Sequence, residues 1–437
     1  EEEGGDAVSR AERENEMLSA IVRMRVMKRD GLKESRNLKN KQIDFRLRVL
    51  DLVETYVARM PHSPIVLDLV VPLLDALHAT GGTLRGGARA GKSGRQVRGL
   101  HDRLRTVIVN RVCGAKLLPT LALDADAAAE LHERAEAAMA HALGAQLPDV
   151  NDSAGVAVIY FLRVLARNGA LDVARARAVL RKAALNLLCT KRQRVRKRFF
   201  ELLAKPVELS AATWSIVPTL LNIAAGAETD TVMQKKVGEE GDEEEEEEVE
   251  VVMRPKSSFQ RALAYELTAL ALNAAAADAA LHAEAAAAMP ALLRVFATAA
   301  REHAEPETEE ERAGAVVQLK KPVHLRLLFK FGSAVLKLGA RVAAGALTRA
   351  EIIAIGAAGT EAAEAGAEFA VLSQSGNKAV KAQGKSFGVQ CAKWVSALGA
   401  KAPSSSGRSG GAATGGAAAR AGGSGKKKKK KQKKQRK

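Results

Sequence analysis

Aromatic side chains are scarce in this 437-residue chain: Phe, Tyr and Trp make up 3% of it. Sequence-specific reading of unstacked bases relies on such rings, and no RNP-like, zinc-finger or homeodomain pattern compensates for them. Cysteine is scarcer still. Cys113, Cys189 and Cys391 lie too far apart for a close-spaced zinc site and leave one thiol unpaired in any disulfide scheme, which points to a reducing compartment. Long apolar runs are missing as well. The best stretch, Ile65 to Leu77, is interrupted by Asp68, Pro72 and Asp75 and is too short to cross a bilayer, so no membrane partner is expected. The chain opens on Glu1 rather than Met, as a piece of a longer protein would. Ala, Leu and Val dominate the 47% of hydrophobic residues, a composition that favours helices and argues against an all-β fold.

Catalytic patterns are also absent. The eight histidines are scattered without metal-ligand spacing, and no Gly-x-Ser-x-Gly elbow occurs. Residues Gly86 to Ser93 fit the phosphate-cradling pattern G-x-x-x-x-G-K-S, which needs a buried strand before it and a helix starting at its Lys. Here a helix precedes it, so a flexible basic loop is the reading. Asp124 and Asp126 are the only short Asp pair outside the acidic run, and they suit the start of the Ala127–Leu143 helix better than a two-metal site. No enzyme activity, metal or cofactor is expected.

What the chain does have is charge, unevenly spread over a net of +18. The segment 404–437 carries 12 bases and no acids, and 239–250 carries 10 acids and no bases. Both are expected to be disordered, since Gly, Ser, Lys and Glu runs bury too little apolar surface to offset about 1–2 kcal/mol of backbone entropy per residue. They divide the chain into an acidic start and leading helix (1–30), a first helical block (31–227) with a Gly/Arg loop at 81–94, an acidic linker (228–256), a second helical block (257–403) and a basic tail (404–437).

Within the blocks the periodicity is helical. In Ile43–Val57 the residues Val49, Leu50, Val53, Tyr56 and Val57 form one face. Ser63 is placed to cap the next helix, Ile65 to Leu77, with Pro64 in its first turn. Further pairs fall at Val156–Ala166 with Val173–Leu188, Arg198–Leu203 with Trp214–Ala225, and Val323–Ala344 with Ala350–Ala358. An amphipathic helix, a short turn and a more apolar helix make the unit of a HEAT- or armadillo-like solenoid. The fold class expected is therefore all-α, an α-solenoid of irregular repeats, with a compact bundle as the alternative.

Binding is expected where bases cluster. Lys191, Arg192, Arg194, Arg196, Lys197 and Arg198 fall within eight residues, immediately before Phe199 and Phe200. If helical, Val195, Phe199 and Leu202 would anchor the segment while Lys191, Arg194, Lys197 and Arg198 fan outward, with Glu201 offsetting one of them. A second strip, Arg23 to Arg48, holds ten bases against Asp30, Glu34 and Asp44. The tail ends in Lys426, Lys427, Lys428, Lys429, Lys430, Lys431, Lys433, Lys434, Arg436 and Lys437, suited to a nuclear or nucleolar address, an electrostatic arm, or both. The bland reading of any such run is a solvated face. The binding reading is a nonspecific contact with RNA or DNA phosphates.

The segment Lys41–Leu74 resembles the C-terminal part of the DNA polymerase phi / Myb-binding protein 1A family. The likeness is densest at Phe45-Arg46-Leu47-Arg48-Val49-Leu50-Asp51-Leu52-Val53-Glu54 and Ser63-Pro64-Ile65-Val66-Leu67-Asp68-Leu69. It covers about 34 residues; the Ala/Gly-rich second block and the acidic insert depart from the pattern. The resemblance implies a nucleolar protein of HEAT- or armadillo-like helices that acts in ribosome biogenesis, ribosomal RNA gene transcription and transcription-factor regulation. Its expected partners are ribosomal DNA or pre-ribosomal RNA and nucleolar proteins or transcription factors. The alternatives are a DNA-directed DNA polymerase, as the family name suggests, and a co-regulator that binds protein alone.

Overall fold

The first helix, α1, runs through 57 residues, Glu3–Arg59, without a boundary near residue 30. Towards its C-terminal end Ile43, Leu50 and Val57 turn inward and are buried, with Leu47, Val53 and Tyr56 half-buried beside them. Val49, assigned to that face by periodicity, is exposed together with Phe45 and Leu52. At 100° per residue Phe45 and Leu52 sit roughly 140–160° from the buried stripe and Val49 about 100° from it. The computed structural model describes residues 3–85, 92–114, 118–119, 122–226, 229–235, 248–302, 319, 321–345, 347–372 and 378–401.

Proline punctuates the helices after α1. Helix α2 (Ile65–Asp68) stops after about one turn and α3 (Val70–Arg85) takes over, so the single helix expected over Ile65–Leu77 is two. Pro72 has no N–H for the Asp68 carbonyl, and its ring crowds that oxygen. The expected cap is also different: Ser63 shares a 2.6 Å hydrogen bond with the Tyr56 hydroxyl, and no side chain caps α2. Helix α3 continues through Gly81, where a Cβ would come within 2.9 Å of Leu147 Cδ1, and α4 (Lys92–Thr106) starts at Lys92. The loop expected at 81–94 is thus helical at both ends, and residues 86–91 lie outside the described residues.

A π-helix, Val107–Val112, extends α4. Helix α5 (Ala125–Gly144) starts at Asp124, whose Oδ1 accepts the Ala127 N–H at 2.7 Å; α6 (Pro148–Arg167) has Pro in its first turn; α7 (Val173–Cys189) is capped by Asp172. After α8 (Lys197–Leu203), the Trp214–Ala225 stretch expected as one helix is divided between α9 (Ser210–Ser215) and α10 (Val217–Ala225). Pro218 acts there as Pro72 does earlier. Residues 229–235 and 248–253 pair as antiparallel strands β1 and β2, Val232 opposite Val251. The linker expected to be disordered over 228–256 is therefore strand at two places rich in Val and Thr, and residues 236–247 lie outside the described residues.

The second block comprises α11 (Ser258–Ala275), α12 (His282–Glu302), α13 (Pro322–Val342), α14 (Arg349–Leu372), which outruns the expected 350–358, and α15 (Lys378–Lys401). Apart from the one hairpin, the regular elements among the described residues are all helices, packed on one another. Some helices adjacent in sequence pack on each other, α3 with α4, α5 with α6 and α14 with α15, while others pack across intervening helices, α1 with α4, α11 with α13 and α12 with α14. Helix α11 packs on α7, α9 and α10, so residues on the two sides of the acidic segment share one compact unit. Arg261, with no exposed surface, reinforces that junction by donating to the Ala224 carbonyl (2.9 Å) and the Glu302 carboxylate (3.1 Å).

Among the described residues two helical stretches, Ile65–Leu84 and Ala279–Glu302, are long and apolar enough to cross a membrane, or three if the bent pair Val207–Ser215 and Val217–Ala225 is one span, which corrects the reading that stopped at Leu77. Here their apolar residues serve the fold. Leu74, Leu77, Leu293 and Phe296 have no exposed surface, and Asp68 pairs with Arg134.

Candidate nucleic-acid interface

Helix α7 ends at Cys189, and the next seven residues, 190–196, are not helical; α8 starts only at Lys197. The helical arrangement considered for Lys191–Arg198 thus gives way to a folded turn up to Lys197, and one side chain explains why. Asn186 Oδ1 accepts the backbone N–H groups of Arg194 (2.8 Å) and Val195 (3.0 Å), giving these donors a partner that competes with a helical one. From the other side, Gln260 Nε2 donates to the Thr190 carbonyl at 3.3 Å. Gln260 is the third residue after the Ser257 cap of α11, and its Oε1 also accepts the Lys256 N–H, a capping-box arrangement. Buried Val195, Phe199 and Phe200 pin the far end of the turn.

The six bases divide into two sets. Arg196 pairs with Asp152 at 3.2 Å, and Lys197 pairs with Glu266 at 2.8 Å and with Glu201 at 3.4 Å. Burial opposes the Lys197 charge, but its hydrogen bonds to Glu266 and Glu201 outweigh burial and raise its pKa. Burial likewise opposes ionisation of Glu266, yet Lys197 and Lys330 (2.6 Å) hold its carboxyl below the usual range. Lys197 is therefore a strut between α8 and α11. Lys191, Arg192, Arg194 and Arg198 have no acidic partner among the described residues, and all but the half-buried Arg194 are exposed. A cleft lined by Val195, Arg196, Arg198 and Phe199 opens directly beside them.

Along α1, Arg23, Arg25, Lys28, Arg29, Lys39, Lys41, Arg46 and Arg48 are exposed. The polylysine residues Lys426 to Lys431, with Lys433, Lys434, Arg436 and Lys437, lie outside the described residues. Sequence reasoning missed Arg105, which reaches the same cleft from the end of α4, and it missed Asn186 and Gln260, which shape the turn. Only the S-x-x-Q spacing of Ser257 and Gln260 signalled either of them.

The chemical alternatives look different in three dimensions. Asp124 Oδ1 is committed to capping α5. Helix α3, not a strand, precedes Gly86–Ser93. Among the described residues no group of three or more His, Cys, Asp or Glu side chains is placed to hold a metal ion. The three cysteines are buried and not joined in a disulfide; burial pushes the Cys391 thiol up to about 11 and moves Cys113 in the same direction. No family model matches the chain, and no curated protein and no solved structure matches it either.

Proposed function

We propose that this chain is a noncatalytic helical scaffold of the solenoid kind that binds RNA or DNA through backbone phosphates. The observation that carries this reading is the fixed turn 190–196, which together with Arg198 presents four cations free of acidic partners among the described residues. A run that served only as a solvated face would need no such framework. The bases of α1 and the lysine-rich tail would add phosphate contacts. The exposed stripe of Phe45, Val49 and Leu52 supports a role for protein partners. The likeness of residues 41–74 to the DNA polymerase phi family supports a nucleolar setting and ribosomal RNA or DNA as the polyanion. The scarcity of exposed aromatic platforms favours contacts with little sequence preference.

The test is the salt dependence of RNA binding by the full chain. With about six phosphate contacts, affinity falls roughly a thousandfold between 50 and 200 mM salt. Changing Lys191, Arg192, Arg194 and Arg198 together to Glu lowers affinity and reduces the slope of log K against log salt by about 3. An unchanged slope would remove the turn from the interface and favour a co-regulator that binds protein alone.

A further inference from the structure

Helices α14 and α15 leave a groove of about 800 Å³ between them, open to solvent. Its two walls repeat one spacing. On α14, Thr360, Glu364, Ala367 and Val371 recur at intervals of four, three and four, and all are exposed. On α15, Lys385, Val389, Ala392 and Ser396 do the same. Alternating intervals of four and three keep a row of side chains against a neighbouring helix that crosses at about 20°, the geometry of four-helix bundles. The floor between the rows is nearly bare backbone: a Cβ on Gly388 would lie 3.0 Å from the Ala363 carbonyl oxygen, and one on Gly384 3.2 Å from that of Gly366. Filling the groove therefore takes side chains from outside the hairpin. The end of a helical stack ordinarily turns a polar face to water. Here Ile353, which prolongs the α14 row, is 63% exposed, and Val371 is 77% exposed.

The charges in the groove single out an occupant. Glu364 stands on one wall and Lys385 on the other, and neither has an ionic partner among the described residues. Gly366 lies against Gly384, and Gly359 against Val395, so the helices run antiparallel and Glu364 and Lys385 stand within about one turn of each other along them. A second copy, turned about a two-fold axis parallel to the hairpin, lays its α15 on α14 of the first and its α14 on α15. Such a rotation leaves heights along the axis unchanged. Each Glu364 then meets Lys385 of the other copy, and the groove is complementary to itself, as an isologous contact requires. The adjoining tail cannot fill the space, since residues 402–437 contain no Val, Leu, Ile, Met, Phe, Tyr or Trp. A nucleic acid would meet aliphatic walls and a carboxylate. We infer that the groove is a homodimer interface, in which α14 and α15 of two copies form a four-helix bundle. This stands independently of the phosphate-binding reading above, and a dimer brings two basic turns and two tails to one polyanion.

The experiment is sedimentation equilibrium of the full chain, nuclease-treated so that no polyanion bridges two copies, across the micromolar range. The wild type passes from monomer to dimer and no further. Glu364→Lys and Lys385→Glu, both at exposed positions, each set like charges against one another across the two-fold and raise the dimer dissociation constant about tenfold or more. Mixing the two variants restores dimers. A Glu364→Lys copy offers only bases and a Lys385→Glu copy only acids, so both cross pairs are satisfied in the mixture. Ala392→Trp obstructs the groove from the α15 wall without changing charge and also gives monomers, while its thermal melt by circular dichroism stays that of the wild type. A wild type that remains monomeric overturns the inference, whatever else the groove then binds. A dimer that neither the charge variants nor Ala392→Trp weaken overturns it too, since its interface lies elsewhere. Weakened single variants that stay monomeric when mixed overturn the two-fold arrangement.

Discussion

The two helical blocks solve the same packing problem with different materials. In the first, the core is mainly aliphatic: Leu74, Leu77, Ile108, Leu162, Leu165, Leu180 and Leu188 are fully buried, with Tyr160, Phe161, Phe199 and Phe200 buried among branched side chains. In the second, Ala and Gly bring helices close and aromatic rings fill what remains. Phe296 lies 4.1 Å from Phe387 between ring centroids, and Phe329 lies 4.9 Å from Phe369. A Cβ on Gly332 would meet Phe296 at 2.6 Å and Phe387 at 2.8 Å, and one on Gly339 would meet Trp394 at 2.5 Å. The first block therefore depends chiefly on side-chain volume being present, the second chiefly on its being absent at chosen positions, a device the first also uses at Gly81 and Gly155.

Removing the link between the blocks sharpens the comparison most. Arg261 is fully buried, and Glu302 supplies its carboxylate partner. Glu302→Ala leaves a buried guanidinium without that partner and costs about 3–5 kcal/mol. Thermal unfolding followed by calorimetry is expected to show both blocks shifting together. Two separate transitions, with the first block unmoved, would show that they do not fold as one unit.

The cores answer to opposite substitutions. Leu180→Ala, in the first block, costs about 2–5 kcal/mol through the cavity it leaves. Gly332→Ala, in the second, costs about 1–3 kcal/mol through crowding between Phe296 and Phe387, although it adds a good helix former. Urea denaturation of each variant measures both. A stabilised Gly332→Ala protein would mean that the rings yield readily and that the contrast between the cores is only one of composition.

How much of this is legible in the residues depends on the range of the cause. Helicity comes from local periodicity and composition, and so does the capping role of Asp124. Pro72 and Pro218 are visible too, but where each breaks a helix depends on a carbonyl four residues earlier rather than on the apolar pattern. The 190–196 turn reads as helix from its own residues because its fate rests on Asn186 and on Gln260, the latter 70 residues from Thr190. The cleft is illegible for the same reason: Arg105, Asp152 and Arg198 belong to three segments that only tertiary packing brings together. Charge clustering locates the interface; it cannot tell the strut Lys197 from its free neighbours, since Glu266 is distant in sequence.

The smallest effect expected is one of pH, and it too separates the blocks. In the first, His101 lies 3.0 Å from the Thr80 hydroxyl, and His132 Nε2 accepts the Asp172 N–H at 3.1 Å, a bond that requires that nitrogen to be unprotonated. Burial lowers the pKa of both, and for His132 the nearby Arg175 adds to it. In the second block His324 is lowered by burial and by Lys321. A histidine depressed on folding binds its proton more readily in the unfolded chain. Its contribution is thus complete above the unfolded value near 6.5 and is lost as pH falls towards the folded one. Each such group adds a slope of at most about 1.4 kcal/mol per pH unit within that window. Melting temperatures between pH 7.5 and 5.5 should fall with pH. The His101→Gln/His132→Gln protein should flatten the dependence more than His324→Gln does. An equal response would place the acid-sensitive contacts evenly across both blocks; a rise in stability on acidification would contradict the neutral, buried state assigned to these rings.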